Sequence, residues 1–61
     1  RDNLKTTCIE DNVWIGTSSI ILQGLTVKSG SVIAAGSVLT KSTDNNDIWA
    51  GNPAKFIRKR R

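Results

Sequence analysis

Cut at every sixth position, residues 9–39 read IEDNVW, IGTSSI, ILQGLT, VKSGSV, IAAGSV and L, and this phase decides the fold. Each block opens on an aliphatic residue: Ile9, Ile15, Ile21, Val27, Ile33 and Leu39. Ile, Leu and Val fill 15 of the 61 positions, so six in phase by chance is on the order of one in a thousand. Four residues after each of the first five stand Val13, Ser19, Leu25, Ser31 and Ser37, three of them serine. The position after the aliphatic is often small, as at Gly16 and Ala34.

Six matches neither the 3.6-residue period of a helix nor the two-residue period of a strand. Gly16, Gly24, Gly30 and Gly36 and the β-branched content oppose a helix as well. An antiparallel meander turning at Gly24, Gly30 and Gly36 would explain the glycines but not the phase. A period of six suits a coil with flat faces and tight corners, each face sending one aliphatic inward. Such coils bury little alone and form a continuous core when stacked in parallel register. Serine and glycine suit the corners, where a bulky side chain would clash.

The phase stops on both sides of this block. Residues 1–7 read as a loop or a coil end. Ser42 to Asp47 is a polar cluster that ends the coil, so residues 42–52 read as a loop. Asn52-Pro53-Ala54 predicts a short helix over 53–61, with Asn52 as N-cap and Pro53 at the first helical position. Phe56 and Ile57 would give it an apolar side, and its basic end would suit the negative pole of the helix dipole.

Sixty-one residues make one domain or part of one, and a chain this short is marginal without staples or neighbours. Cys8 is the sole cysteine and histidine is absent, which excludes an internal disulfide and a zinc site. No apolar run approaches the roughly 20 residues of a membrane span, and no signal peptide is evident. The chain opens on Arg1 and contains no methionine, so it reads as a processed chain or a portion of a longer one. The net charge of +4 is a feature of its end: Lys55, Arg58, Lys59, Arg60 and Arg61 lie in the last seven residues, leaving four bases against five acids before them.

The runs Asp11-Asn12-Val13-Trp14-Ile15-Gly16, Ile21-Leu22-Gln23-Gly24-Leu25-Thr26-Val27, Ala35-Gly36-Ser37-Val38-Leu39-Thr40-Lys41 and Ala50-Gly51-Asn52-Pro53-Ala54-Lys55 resemble, in order and spacing, the hexapeptide-repeat acyltransferases. The resemblance covers about residues 8 to 61. It is nearest to the branch of maltose, galactoside and capsule-sugar O-acetyltransferases, which also holds antibiotic-modifying acetyltransferases. It implies an all-β fold: a left-handed parallel β-helix of triangular section, about two coils over 8–41, then the loop and the short helix. It also implies a homotrimer with active sites between subunits, acetyl-CoA as acyl donor, no metal and a cytoplasmic setting. In that branch this stretch is the C-terminal part of a chain about three times longer.

Carried over residue by residue, the resemblance implies a cofactor-binding set. Trp14 matches a tryptophan near the pantetheine arm and acceptor pocket, and Thr17 a small hydroxyl residue near the thioester. Ala35 matches a position whose backbone N–H bonds pantetheine. Thr40 and Lys41 match a pair touching pantetheine and the nucleotide phosphates. Arg58 and Lys55 match bases near the adenosine 3′-phosphate, where charge-assisted contacts are strong. Three departures stand out: Lys28 where glycine is usual, Ser42-Thr43 without a following proline, and no histidine to serve as the family's general base. No catalytic residue is therefore assigned, and the segment would supply the CoA-binding wall of a cleft whose base lies elsewhere.

Other readings fit less well. A non-catalytic β-solenoid, structural or ice- or carbohydrate-facing, would want a ladder of one residue type; Thr6, Thr7, Thr17, Thr26, Thr40 and Thr43 form none at six-residue spacing. A γ-carbonic anhydrase needs three histidines. Nucleic-acid binding through the basic end would want interleaved aromatics, and only Phe56 is present there.

Overall fold

A computed structural model describes residues 6–60. Six two-residue strands recur along the hexapeptides: β1 (Cys8–Ile9), β2 (Trp14–Ile15), β3 (Ile20–Ile21), β4 (Thr26–Val27), β5 (Val32–Ile33) and β6 (Val38–Leu39). Two longer strands follow, β7 (Asp47–Gly51) and β8 (Ala54–Lys59). Pairing is parallel and eighteen residues deep: Ile9 lies beside Val27, Ile15 beside Ile33 and Ile21 beside Leu39. Three hexapeptides therefore make one coil, and the coil has three faces, β1–β4, β2–β5–β7–β8 and β3–β6.

The repeated aliphatics point inward. Val27, Ile33 and Leu39 are fully buried and, with Ala54, form the core. Their counterparts in the first coil, Ile9 and Ile15, have a coil on one side only among the described residues and stay 50% and 37% exposed. The second series is inward too: Ser31 and Ser37 are buried. Their hydroxyls tie coil to coil rather than waste a hydrogen bond. Ser19 Oγ donates to the Ala34 carbonyl at 2.8 Å, Ser31 Oγ to that of Asp44 at 2.9 Å, and Ser37 Oγ accepts from Gly51 N–H at 3.1 Å.

Corners fall at the same six-residue spacing. Asn12, Ser18, Gly24, Gly30 and Gly36 all hold positive φ, between 58° and 84°, a region that glycine enters without steric cost. Gly16 has a different reason. A Cβ there would sit 2.6 Å from Ala35 Cα in the coil above, so glycine sets how closely the two backbones stack.

After β6 the coil is shortened. Among the described residues the β1–β4 face gains no third strand; instead Ser42 Oγ accepts from Thr26 N–H at 2.9 Å and Thr43 Oγ1 from Lys28 N–H at 3.1 Å. Thr43 N–H donates back to the Thr26 carbonyl at 3.0 Å. The two hydroxyls stand in for ladder carbonyls, which is the structural use of the Ser42-Thr43 departure. The chain saves two residues by this route, so that β7 pairs with β5 at a separation of sixteen, Val32 beside Ile48 and Ile33 beside Trp49.

The expected C-terminal helix is replaced by a strand. β8 runs antiparallel to β7 across a turn at Asn52-Pro53, whose peptide bond is cis. The reason is an available edge: β7 presents unpaired backbone groups that β8 satisfies, whereas a helix of seven to nine residues is marginal by itself. Likewise the loop expected over 42–52 ends sooner, because Asp47–Gly51 is strand. Of the loop or coil end expected over residues 1–7, only Thr6 and Thr7 lie inside the described residues. Thr7 Oγ1 accepts from Gly24 N–H at 3.1 Å.

Two stability outcomes follow from this packing. Ile33→Ala removes a fully buried side chain from the middle of the stack and should cost about 2 to 5 kcal/mol, read as a lower urea midpoint. Gly16→Ala should also lower that midpoint, by forcing two coils apart, whereas Gly16→Ala with an unchanged midpoint would show that the coils have room to shift.

Candidate functional site

Two grooves run along the coil. One, of about 280 Å³, is lined by Thr40, Lys41, Trp49, Pro53, Ala54, Lys55 and Phe56. The other, of about 550 Å³, lies at the corner where Asn12, Gly30 and Asn46 stack, and Trp14, Asn45 and Arg60 also border it.

Three of the seven residues singled out from sequence, Thr40, Lys41 and Lys55, meet in the first groove. The coil delivers Thr40 and Lys41 at the end of β6, and the hairpin folds Lys55 back beside them. Trp14 borders the other groove, 70% exposed at the start of β2. Thr17 and Ala35 are exposed at a third place, stacked corners joined by Gly36 N–H donating to the Thr17 carbonyl at 2.9 Å. Arg58 is exposed on β8 opposite Ile48, with Nη1 donating to the Lys59 carbonyl at 3.0 Å. Neither Thr17, Ala35 nor Arg58 lines either groove.

The first groove is lined by both cationic and aromatic side chains. Neither Lys41 nor Lys55 has an ion-pair partner among the described residues. In the same groove the Trp49 and Phe56 rings meet edge to face, centroids 6.4 Å apart at 71°, an arrangement that aromatic quadrupoles favour. The arrangement suits a ligand carrying anionic groups and an extended apolar or planar part.

Sequence reasoning missed Trp49, Phe56 and Pro53 as groove residues. The signal existed: Trp49 continues the inward series Ile15 and Ile33 on its face. It was hidden by the two-residue shortening inside Ser42–Asp47, which breaks the phase.

Behind the groove lies Asp47, buried at 4% exposure. Its Oδ2 accepts from Asp44 N–H at 2.8 Å and from the Trp49 indole N–H at 3.1 Å. Its Oδ1 lies 2.7 Å from Lys59 Nζ. That approach lacks the angle of a good hydrogen bond, but attraction between opposite charges at this distance needs none. Burial pushes the carboxyl up. The close contact with the Lys59 ammonium and the hydrogen bonds from Asp44 N–H and the Trp49 indole outweigh burial and hold it below the ordinary aspartate value of 3.8.

The family model described as hexapeptide repeat of succinyl-transferase matches residues 6–41. A putative acetyltransferase of Schizosaccharomyces pombe is 55% identical over 51 residues, 84% of this chain and 25% of that protein. A galactoside acetyltransferase solved with coenzyme A superimposes with a TM-score of 0.90 at 40% identity, covering 93% of this chain and 28% of that one. A hexapeptide-repeat acetyltransferase of Vibrio cholerae O1 biovar eltor, solved with acetyl coenzyme A, gives a TM-score of 0.90 at 38% identity over 93% of this chain and 31% of that one. The chain belongs to the hexapeptide-repeat transferase family. It spans between a quarter and a third of the length of these relatives.

Asp47 sets an acid limit on the fold. Its folded pKa lies below the unfolded one, so its contribution to stability is complete above the ordinary aspartate value and is lost as the pH falls through the lowered value. Thermal melts between pH 6 and pH 2 should show this loss below about pH 4, and Asp47→Asn, less stable at pH 6, should lose less on acidification than the wild type.

Proposed function

We propose that this chain forms the coenzyme A-binding wall of an O-acetyltransferase that acts on a sugar or polysaccharide hydroxyl. The observation that carries the proposal is the meeting of Thr40, Lys41 and Lys55 with an aromatic wall in one groove. The two lysines supply charge for phosphate oxygens, and Trp49 and Phe56 supply apolar surface for the rest of the donor. Support comes from relatives solved with coenzyme A and with acetyl coenzyme A. The choice of a sugar acceptor draws on the likeness to galactoside and maltose O-acetyltransferases.

The reaction we infer is direct transfer. A base removes the proton of the acceptor hydroxyl, its oxygen bonds to the thioester carbonyl carbon, and the carbon–sulfur bond breaks to release the thiol. A backbone N–H of the coil would steady the oxyanion. The base is not supplied by these 61 residues, which contain no histidine.

We read the assembly as a homotrimer with its sites between subunits. In one chain Trp14, Thr17 and Ala35 lie apart from the Thr40–Lys41–Lys55 groove. A closed ring would let one copy's Trp14 side face the next copy's groove, so that Trp14 borders the same cleft as Thr40, Lys41 and Lys55. A cytoplasmic setting, where acetyl-CoA is at hand, belongs to the same proposal.

Calorimetric titration of coenzyme A into the protein at its natural length tests the groove. Lys41→Ala and Lys55→Ala should each cost about 1 kcal/mol, roughly a fivefold rise in Kd, with a weaker dependence on salt. Unchanged affinity and salt dependence in both would sink the assignment. Release of free thiol from acetyl-CoA only when a sugar acceptor is added would establish the transfer.

A further inference from the structure

Trp49 belongs to two surfaces at once. Its register opposite Ile33 places it over the inward stack, where it packs against the buried core. The same residue lines the groove that holds Lys41 and Lys55. A side chain that closes a core on one side and faces a ligand groove on the other has to be held in one orientation, since aromatic χ2 wells are broad. Phe56 limits the ring on one side. The polar constraint is a single bond, because an indole offers one donor and no acceptor, and that donor goes to Asp47 Oδ2 at 3.1 Å.

The acceptor is itself fixed. Asp47 is buried, its Oδ2 is also tied to Asp44 N–H, and its Oδ1 faces Lys59 Nζ at 2.7 Å. That ammonium is held in turn by the Asn45 carbonyl at 2.9 Å. The carboxylate therefore has no free direction in which to swing, and a bond to an ionised acceptor is stronger than one to a neutral group.

We infer that Asp47 is a positioning residue of the groove: through the indole N–H it fixes the Trp49 ring as the wall against which a ligand held by Lys41 and Lys55 lies. The inference rests on reading that groove as the coenzyme A site. Asp47 touches no ligand itself. Its effect is to keep the wall in its productive place, where a displacement of about 1 Å loosens a bound ligand.

Three substitutions in the natural-length protein separate this role from a purely structural one. Asp47→Leu removes both the indole bond and the ion pair. Asp47→Asn keeps an oxygen that accepts from the indole but loses the charge. Lys59→Met removes the ion pair and leaves the indole bond. Coenzyme A binding is measured by calorimetry at a temperature where circular dichroism shows every variant folded, and the Trp49 indole N–H is followed by NMR hydrogen exchange. We expect Asp47→Leu to bind about tenfold more weakly with fast indole exchange. The other two should melt earlier yet bind within twofold of wild type with a protected indole. Should Asp47→Leu not be folded at any usable temperature, Trp49→Phe, which keeps an aromatic ring but has no donor, takes its place with the same expected weakening.

Wild-type affinity in Asp47→Leu, or in Trp49→Phe if it stands in, overturns the inference. So does weakening in all variants in proportion to their loss of melting temperature. If wild type binds no coenzyme A, the reading of the groove fails and the inference falls with it; the indole exchange still shows whether the carboxylate holds the ring.

Discussion

One alignment governs the molecule: each inward aliphatic must fall on the aliphatic eighteen residues further along. Ile9 on Val27, Ile15 on Ile33 and Ile21 on Leu39 carry the apolar column from coil to coil. A slip of one residue would turn all of them outward. The corners protect the alignment, because residues with positive φ recur at the same interval and cannot be moved along the chain without strain. The core this creates is thin, with Val27, Ile33, Leu39 and Ala54 as its buried apolar members. Buried serines therefore matter more than in a larger protein, and each hydroxyl inside the coil is spent on a carbonyl or N–H of a neighbouring level.

The hairpin solves the problem of how such a stack stops. Ser42 and Thr43 replace strand carbonyls on one face, β7 continues a second face, and Trp49 covers the inward column. Asp47 links these solutions. It binds the loop through Asp44 N–H, the lid through Trp49 and the returning strand through Lys59. A single buried carboxylate is thus shared by the end of the fold and the wall of the groove.

Much of this was legible in the residues. The six-residue phase gave the coil, its faces and its inward column, because periodicity reports which side chains are buried. Thr40, Lys41 and Lys55 were picked out by family likeness, and they do share a groove. The hairpin was not legible. Asn52-Pro53 serves a helix start and a tight turn equally well, and the choice was made by the open edge of β7, a partner that no local pattern reveals. The shortened coil escaped for a similar reason. That Ser42 and Thr43 hydroxyls act as ladder acceptors depends on Thr26 and Lys28 lying opposite. Ala35 sits in the same motif block as Thr40 and Lys41 yet on another surface of the prism, since a linear motif winds around three faces.

The returning strand also gives the solenoid a direction of growth that is closed. A parallel ladder of coils has an edge at each end, and a bare edge invites the next molecule to add its own strands. Here β8 reverses the chain, so its outer edge has the wrong polarity for another coil to continue the parallel ladder. It also carries Lys55, Arg58 and Lys59, which repel the like edge of a second copy. Addition of a further parallel coil on this face is opposed by strand direction and by charge together.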